Sequence, residues 1–258
     1  ARSEDNGRRR GERRASGQGG GQRTTQAGSG TPEDSISFLV GSSQSDMDVV
    51  WEPHRSENPL NNFGFLVTGD SGAGKTQVLR ALIAEVASRG LPVCIFDYKN
   101  DYSDDEFRSR HNLEVYDIDR QGLPFNPLSL LADERGEAQP VRQIHELTAI
   151  LRRIFRLGDQ QEARLKTAMK AAYDAVGLKP GVRVAVDEGT PAPAFEDVVA
   201  LLRQDQKNEA LLNRLEPLFD LELFPTGNED LKAFDELLLD QFVLNLAGLP
   251  GKRIKAAI

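Results

Sequence analysis

The sequence has very little of what stabilises a small secreted or membrane protein. Its 258 residues include one cysteine, Cys94, so no internal disulfide can form. No apolar run approaches the roughly 18 residues that a membrane-spanning helix needs. No charged segment followed by an apolar one marks a secretory signal. We therefore expect a cytoplasmic protein without a membrane partner, and the length predicts one large domain or two small ones.

The charge is unevenly distributed along the chain. The formal net charge is −8, yet residues 1–32 carry seven arginines against three acidic residues. This segment has almost no apolar side chains to offset the entropy of ordering, so we predict a disordered arm rich in arginine and glycine. The acidic remainder argues against nucleic-acid binding over the whole surface. It leaves room for DNA held by a local basic stripe or inside a ring.

Apolar patterns along the rest of the chain alternate between strands and helices. They predict a β-hairpin within residues 33–62, a helix from Gln77 to Ser88, and buried strands near residues 63–67, 93–97, 113–118 and 241–246. Four further helices fall between residues 141 and 220. This order favours an α/β fold with a mainly parallel sheet. We divide the chain after residue 62 into a first part of the ATPase core (63–140), an inserted all-helical block (141–220) and a segment that returns to the core sheet (221–258).

A phosphate-binding loop is the strongest local signal. The eight residues from Gly69 to Thr76 fit the pattern G-x-x-x-x-G-K-[ST], between a predicted buried strand and an amphipathic helix. The predicted nucleotide-binding residues are Gly69, Asp70, Ser71, Gly72, Ala73, Gly74, Lys75, Thr76 and Gln77.

Each residue type in this loop has a chemical reason. Small residues let backbone N–H groups curl around phosphate oxygens, and the following helix adds partial positive charge. Lys75, the predicted catalytic residue, can reach the β- and γ-phosphates of ATP, and the Thr76 hydroxyl can bind Mg²⁺. The alternative, a glycine-rich turn that merely begins a helix, does not explain why both Lys75 and Thr76 are in place.

Four segments together resemble one family. The phosphate loop is followed by Phe96-Asp97-Tyr98-Lys99-Asn100-Asp101-Tyr102 and then by Asn126-Pro127-Leu128, and it is preceded by Val50-Trp51-Glu52-Pro53. Over about residues 36–130 this resembles the HerA/FtsK-type ring ATPases. Within them the sequence is most similar to the HerA-like ATPases of phosphorothioation-dependent DNA restriction, the DptH subgroup.

The resemblance implies a P-loop NTPase fold of the RecA/FtsK type. It also implies a homo-hexamer that holds double-stranded DNA in its pore and couples Mg²⁺-dependent ATP hydrolysis to translocation. A role in prokaryotic DNA restriction, defence or repair follows, with a nuclease as a partner. Three alternatives stay open: a ring ATPase of the secretion or conjugation type, a nucleotide-binding switch without turnover, and a small-molecule kinase.

The second half of the ATPase site is harder to locate. Asp187 and Glu188 follow Val184-Ala185-Val186 and match a Walker B strand literally, but Arg183 and flanking glycines and prolines favour a loop between helices. In the resembled family the Walker B strand follows the strand that 243–246 resembles. We therefore expect the chain, which starts at Ala1, to be a fragment that ends before it.

Two further sets of residues have a functional and a structural interpretation. Asp97 either faces the nucleotide from the end of its strand or accepts backbone hydrogen bonds from the loop that follows. Arg152, Arg153 and Arg156 either supply an arginine finger or form a solvated basic face, which is the commoner case. The three histidines are scattered, so no metal-ligand spacing exists.

Overall fold

The computed structural model describes residues 36–53, 60–225, 231–256 and 258. The arm predicted for residues 1–32 lies outside these residues. Within them, no helix has both the length and the apolar character needed to cross a membrane.

The central feature is a three-stranded parallel sheet. Strand β7 lies between β3 and β4 and pairs in parallel with both. The predicted α/β architecture with a parallel sheet is confirmed. The last strand in sequence is thus the central strand of the sheet. The mostly helical segment between β4 and β7 lies outside the sheet.

The helices and strands follow the predicted order closely. The strands are β1 (Phe38–Ser42), β2 (Asp48–Trp51), β3 (Val93–Asp97), β4 (Glu114–Asp117), β5 (Glu137–Ala138), β6 (Val184–Ala185) and β7 (Gln241–Asn245). The α-helices are α1 (Lys75–Ser88), α2 (Asp105–Arg110), α3 (Ile118–Gln121), α4 (Pro140–Phe155), α5 (Asp159–Ala175), α6 (Phe195–Arg203), α7 (Glu209–Asp220), α8 (Phe234–Leu237) and α9 (Gly251–Lys255). A short 3₁₀ turn, Gln206–Asn208, precedes α7.

The two faces of the sheet contribute to different cores. Val243 of β7 packs in a small core with Phe107 of α2, against which Ile83 of α1 also lies. Phe242 and Leu244, on the opposite face, belong to a large core shared with the helical block. The sheet is therefore the middle of three layers, and residues from 63–140, 141–220 and 221–258 all contribute to the large core.

One edge of the sheet is more open than predicted. Cys94 and Phe96 of β3 pair with Phe242 and Leu244 and so lie on the same face. That face is covered over β7 but not over β3, and 50% of Phe96 is exposed. The prediction of a fully buried second strand is thus wrong for half of its side chains.

The predicted β-hairpin is present. Strands β1 and β2 pair antiparallel, with Phe38 opposite Trp51 and a bulge between Leu39 and Gly41. Most of the hairpin's side chains are exposed. Phe38 and Trp51 both contact the ring of Phe65.

The buried strand predicted at residues 63–67 is wrong. This segment has no strand partner among the described residues, and Phe63 and Leu66 are 52% and 87% exposed. Asn62 Oδ1 accepts a hydrogen bond from the Gly64 N–H at 2.8 Å. This N–H is therefore not free to bond to a neighbouring strand. Within this apolar run, the Phe65 side chain packs against the hairpin instead.

The helical block is joined to the sheet by the connector that carries the N-P-L element. Asn126 is buried, donating to the Pro193 carbonyl at 2.9 Å and accepting from the Leu128 N–H at 2.9 Å. The hydroxyl of buried Tyr173 donates to the Leu128 carbonyl at 2.5 Å. These bonds give the element a structural role, because they fix the non-helical connector against α5 and the start of α6.

We predict that Leu151→Ala lowers the free energy of unfolding by about 3 kcal/mol, because Leu151 is fully buried in α4 and its removal leaves a cavity. Ile150→Ala, the neighbouring residue at 49% exposure, should cost less than about 1 kcal/mol. Urea denaturation measures both values, and equal losses would contradict the assigned face of α4.

Candidate nucleotide-binding site

The phosphate loop closes on itself through its lysine. The Lys75 ammonium donates to the carbonyls of Gly69 at 2.8 Å and Asp70 at 2.6 Å. Ala73 N–H also donates back to the Asp70 carbonyl, at 3.2 Å. The result is a tight, exposed loop whose only long cationic side chain lies across it. A phosphate group would take the place of these carbonyls as the acceptor.

Two glycines make this turn possible. Gly72 and Gly74 have φ values of 81° and 85°, in the left-handed region that residues with a Cβ avoid. Gly74 is the residue before α1, and no side chain there caps the helix. The first turn of α1 also carries no acidic residue. Its free N–H groups and partial positive charge therefore suit an anion.

The predicted residues are thus brought together as one loop at the start of α1. Lys75 and Thr76 occupy the first two positions of the helix, and both are partly buried. Gln77 is exposed on the same turn. The donor set fits a nucleotide: an ammonium and uncapped N–H groups for phosphate, with a neighbouring hydroxyl for Mg²⁺. No group of three or more His, Cys, Asp or Glu among the described residues could hold a metal by itself.

Of the two roles predicted for Asp97, the structure shows the structural one, in which the carboxylate accepts backbone hydrogen bonds from the loop that follows. Its carboxylate accepts hydrogen bonds from the backbone N–H groups of Lys99 at 3.1 Å, Asp101 at 3.0 Å and Tyr102 at 2.9 Å. The residue is 1% exposed. With three backbone donors and no access to solvent, the carboxylate holds the segment that follows, which we term the 98–104 loop.

A row of polar side chains lies at the carboxyl end of the sheet. The pairing register places Asp97, Asn245 and Asp117 opposite one another. The Asn245 amide donates to Asp117 Oδ1 at 2.6 Å and to Asn100 Oδ1 at 3.0 Å. In parallel α/β sheets, ligands bind outside this end of the strands. Here the row ties the 98–104 loop to β7 and β4.

Arg80 connects α1 to the same loop. Its Nε donates to the Asp101 carbonyl at 3.0 Å, and its Nη2 contacts both that carbonyl and the Asp104 carboxylate. The guanidinium lies 4.8 Å from the centre of the Phe107 ring. The pKa of Asp104 is lowered chiefly by the Phe107 N–H that it accepts at the start of α2, and further by Arg80.

The literal Walker B match is not part of this site. Strand β6 pairs antiparallel with β5 in a separate two-stranded sheet. Asp187 Oδ1 accepts from the Gly189 N–H at 3.0 Å and from the Thr190 hydroxyl at 3.1 Å, so it forms a local turn. The segment lies between two helices, α5 and α6, as expected, but Val184–Ala185 form a short strand instead of a loop. Neither Asp187 nor Glu188 lies on the parallel sheet.

The three arginines predicted as a cluster, Arg152, Arg153 and Arg156, are all exposed. Arg152 bridges α4 to α5 through Asp159 at 2.7 Å and through Glu162. The hydrogen bond that Arg152 donates to Glu162 is the main reason that the pKa of Arg152 is raised. The structure therefore supports the solvated-face interpretation for Arg152.

Sequence reasoning missed Arg80, Asn245 and Asp117. The last two carried a signal, because each is the polar residue that ends an apolar strand, as Asp97 does. Arg80 carried none, since a single arginine on a helix surface is ordinary and its partners lie more than 20 residues away.

The comparisons with known proteins agree with this geometry. The family profile "Helicase HerA, central domain" matches residues 62–247. Among solved structures, VirB4 of Thermoanaerobacter pseudethanolicus is similar, with a TM-score of 0.60 and 18% sequence identity. That match covers 85% of this chain and 59% of the VirB4 chain. No curated protein sequence is similar enough to count as a match.

We predict that Asp97→Asn lowers the free energy of unfolding by about 1–3 kcal/mol, because an amide cannot accept three backbone N–H groups as a carboxylate does. Amide hydrogen exchange at Lys99, Asp101 and Tyr102 should become faster. The control is Asp105→Asn, whose side chain is 91% exposed and should cost less than about 0.5 kcal/mol. Unchanged stability with slow exchange would mean that the carboxylate does not hold the loop.

Proposed function

The chain belongs to the HerA central-domain family of P-loop ATPases, and from this premise we propose that it binds Mg²⁺·ATP through residues 69–77 as part of a molecular motor. The observation that carries the proposal is the uncapped start of α1 beside the Lys75 ammonium. Lys75 would exchange the carbonyls of Gly69 and Asp70 for the β- and γ-phosphates. Thr76 would bind the Mg²⁺ that neutralises developing charge during phosphoryl transfer to water.

We further propose that the motor acts on double-stranded DNA as a homo-hexamer in the cytoplasm. The support is the family and the resemblance of the four motif segments to ring ATPases. A DptH-like role in DNA restriction, with a partner nuclease, is the most specific form of this proposal. A net charge of −8 makes the overall surface unfavourable for DNA. The DNA contact would therefore be local, as in the lumen of a ring.

A second candidate is a ring ATPase of the secretion or conjugation type. The fold shared with VirB4 favours it, over 85% of this chain. The chain spans 59% of that protein's length, so the activity of a whole protein of either type is itself a proposal.

We expect Lys75→Ala to weaken Mg²⁺·ATP binding by about 100-fold or more, because it removes charged hydrogen bonds of ~1.5–3 kcal/mol to the phosphates. Isothermal titration calorimetry measures the affinity directly. Lys170→Ala removes the same charge from an exposed position on α5 and should leave the affinity unchanged. Equal affinity of the wild type and the Lys75 variant would refute the assigned phosphate site.

Duplex DNA should bind the wild-type chain with an affinity that falls steeply as salt rises, because phosphate contacts release counterions. Fluorescence anisotropy of a labelled duplex at two salt concentrations measures the affinity, and phosphate release with and without the duplex is measured in parallel. Glu188→Gln should change neither value, since Glu188 lies off the parallel sheet. A duplex affinity that is absent or independent of salt would contradict DNA as the substrate, and turnover that ignores DNA would favour the second candidate.

A further inference from the structure

We propose that Arg80 is a positioning residue of the nucleotide site, which anchors the first half of α1, and with it the phosphate loop, to the 98–104 loop. The inference rests on the proposed function, because α1 is taken to carry a bound nucleotide. It assigns Arg80 no contact with ATP.

The phosphate loop is weakly supported on its upstream side. Residues 63–68 form no strand among the described residues, and Leu66 is 87% exposed. Phe65 ties this segment to the hairpin through Phe38 and Trp51, but the segment has no strand pairing among the described residues. The loop geometry therefore depends mainly on its downstream connection, through α1.

Helix α1 contacts β1 and β3, and side chains attach it at further points along its length. Ile83 packs against the small core. At the far end, the Gln241 amide donates to the carbonyls of Ala87 at 3.1 Å and Leu91 at 3.2 Å. Of these side-chain contacts, Arg80 lies nearest to Lys75, about 7.5 Å along the helix axis at 1.5 Å per residue. It is therefore the one best placed to influence the helix start.

The partners of Arg80 are themselves fixed. Asp101 supplies the carbonyl, and its own N–H is held by the buried Asp97 carboxylate. Asp104 supplies the carboxylate while its other oxygen accepts the Phe107 N–H at 3.0 Å. Phe107, over which the guanidinium lies, is buried. Arg80 thus binds a rigid platform rather than a mobile surface.

Only arginine suits this platform. Its planar fork reaches the Asp101 carbonyl and the Asp104 carboxylate at once while its face lies on the Phe107 ring. A lysine keeps the charge but offers a single nitrogen, so it would retain part of the contact.

The first test compares Arg80→Ala and Arg80→Lys with the wild type. We expect the Kd for Mg²⁺·ATP to rise about tenfold in Arg80→Ala, the size of one charged hydrogen bond, and about threefold in Arg80→Lys. The control is Arg110→Ala, which removes an exposed arginine that pairs with Glu106 inside α2 and should leave the Kd unchanged. Affinities are measured at a temperature at which circular dichroism shows every variant folded.

The second test uses Asp104→Asn, alone and with Arg80→Ala. Asparagine still caps α2, so this variant removes the ionic contact while keeping the helix start. We expect a Kd about threefold higher for Asp104→Asn, and a double variant no weaker than Arg80→Ala, because both changes remove one shared contact. Asp104→Asn alone, together with Arg80→Lys, keeps the test valid if Arg80→Ala fails to fold.

Three outcomes would overturn the inference, and they are distinguishable. A wild-type chain that does not bind Mg²⁺·ATP removes the proposed function together with the inference. A wild-type chain that binds, with Arg80→Ala equally tight, removes the inference alone. Additive losses in the double variant, without rescue by lysine, would mean general destabilisation instead of positioning.

Discussion

The pairing of β7 between β3 and β4 is the contact on which the rest of the structure depends. It joins residues 241–245 to strands that lie more than 120 residues earlier. Because of its register, Asp97, Asn245 and Asp117 meet at the carboxyl end of the sheet. Asn245 then holds Asn100, and Asp97 holds the N–H groups around it. A rigid 98–104 loop results, and Arg80 ties the phosphate-bearing helix to it.

Much of this could be predicted from the sequence, and for local reasons. Strand β3 and helices α1, α4, α6 and α7 lie within a few residues of their expected places, because apolar periodicity and glycine stops are properties of short segments. The phosphate loop was also recognisable, since its spacing is itself the chemical requirement. Gly72 and Gly74 have the positive φ values that this spacing implies.

What failed depended on the surroundings of a segment. Residues 63–67 have a strand composition but lie exposed beside the hairpin, and periodicity cannot show whether a pairing partner exists. Phe96 lies between the buried residues Ile95 and Asp97 but is itself half exposed. Whether its face of the strand is buried depends on helices that are distant in sequence. Arg80 gains its importance from Asp101 and Asp104, which no spacing rule connects to it.

The most direct test of the central claim is amide hydrogen exchange of the whole chain with and without Mg²⁺·ATP. If the start of α1 binds phosphate and is tied to the platform, exchange should slow at residues 69–77 and also across the 98–104 loop. Protection that is absent from residues 69–77, or that occurs only elsewhere in the chain, would contradict the account.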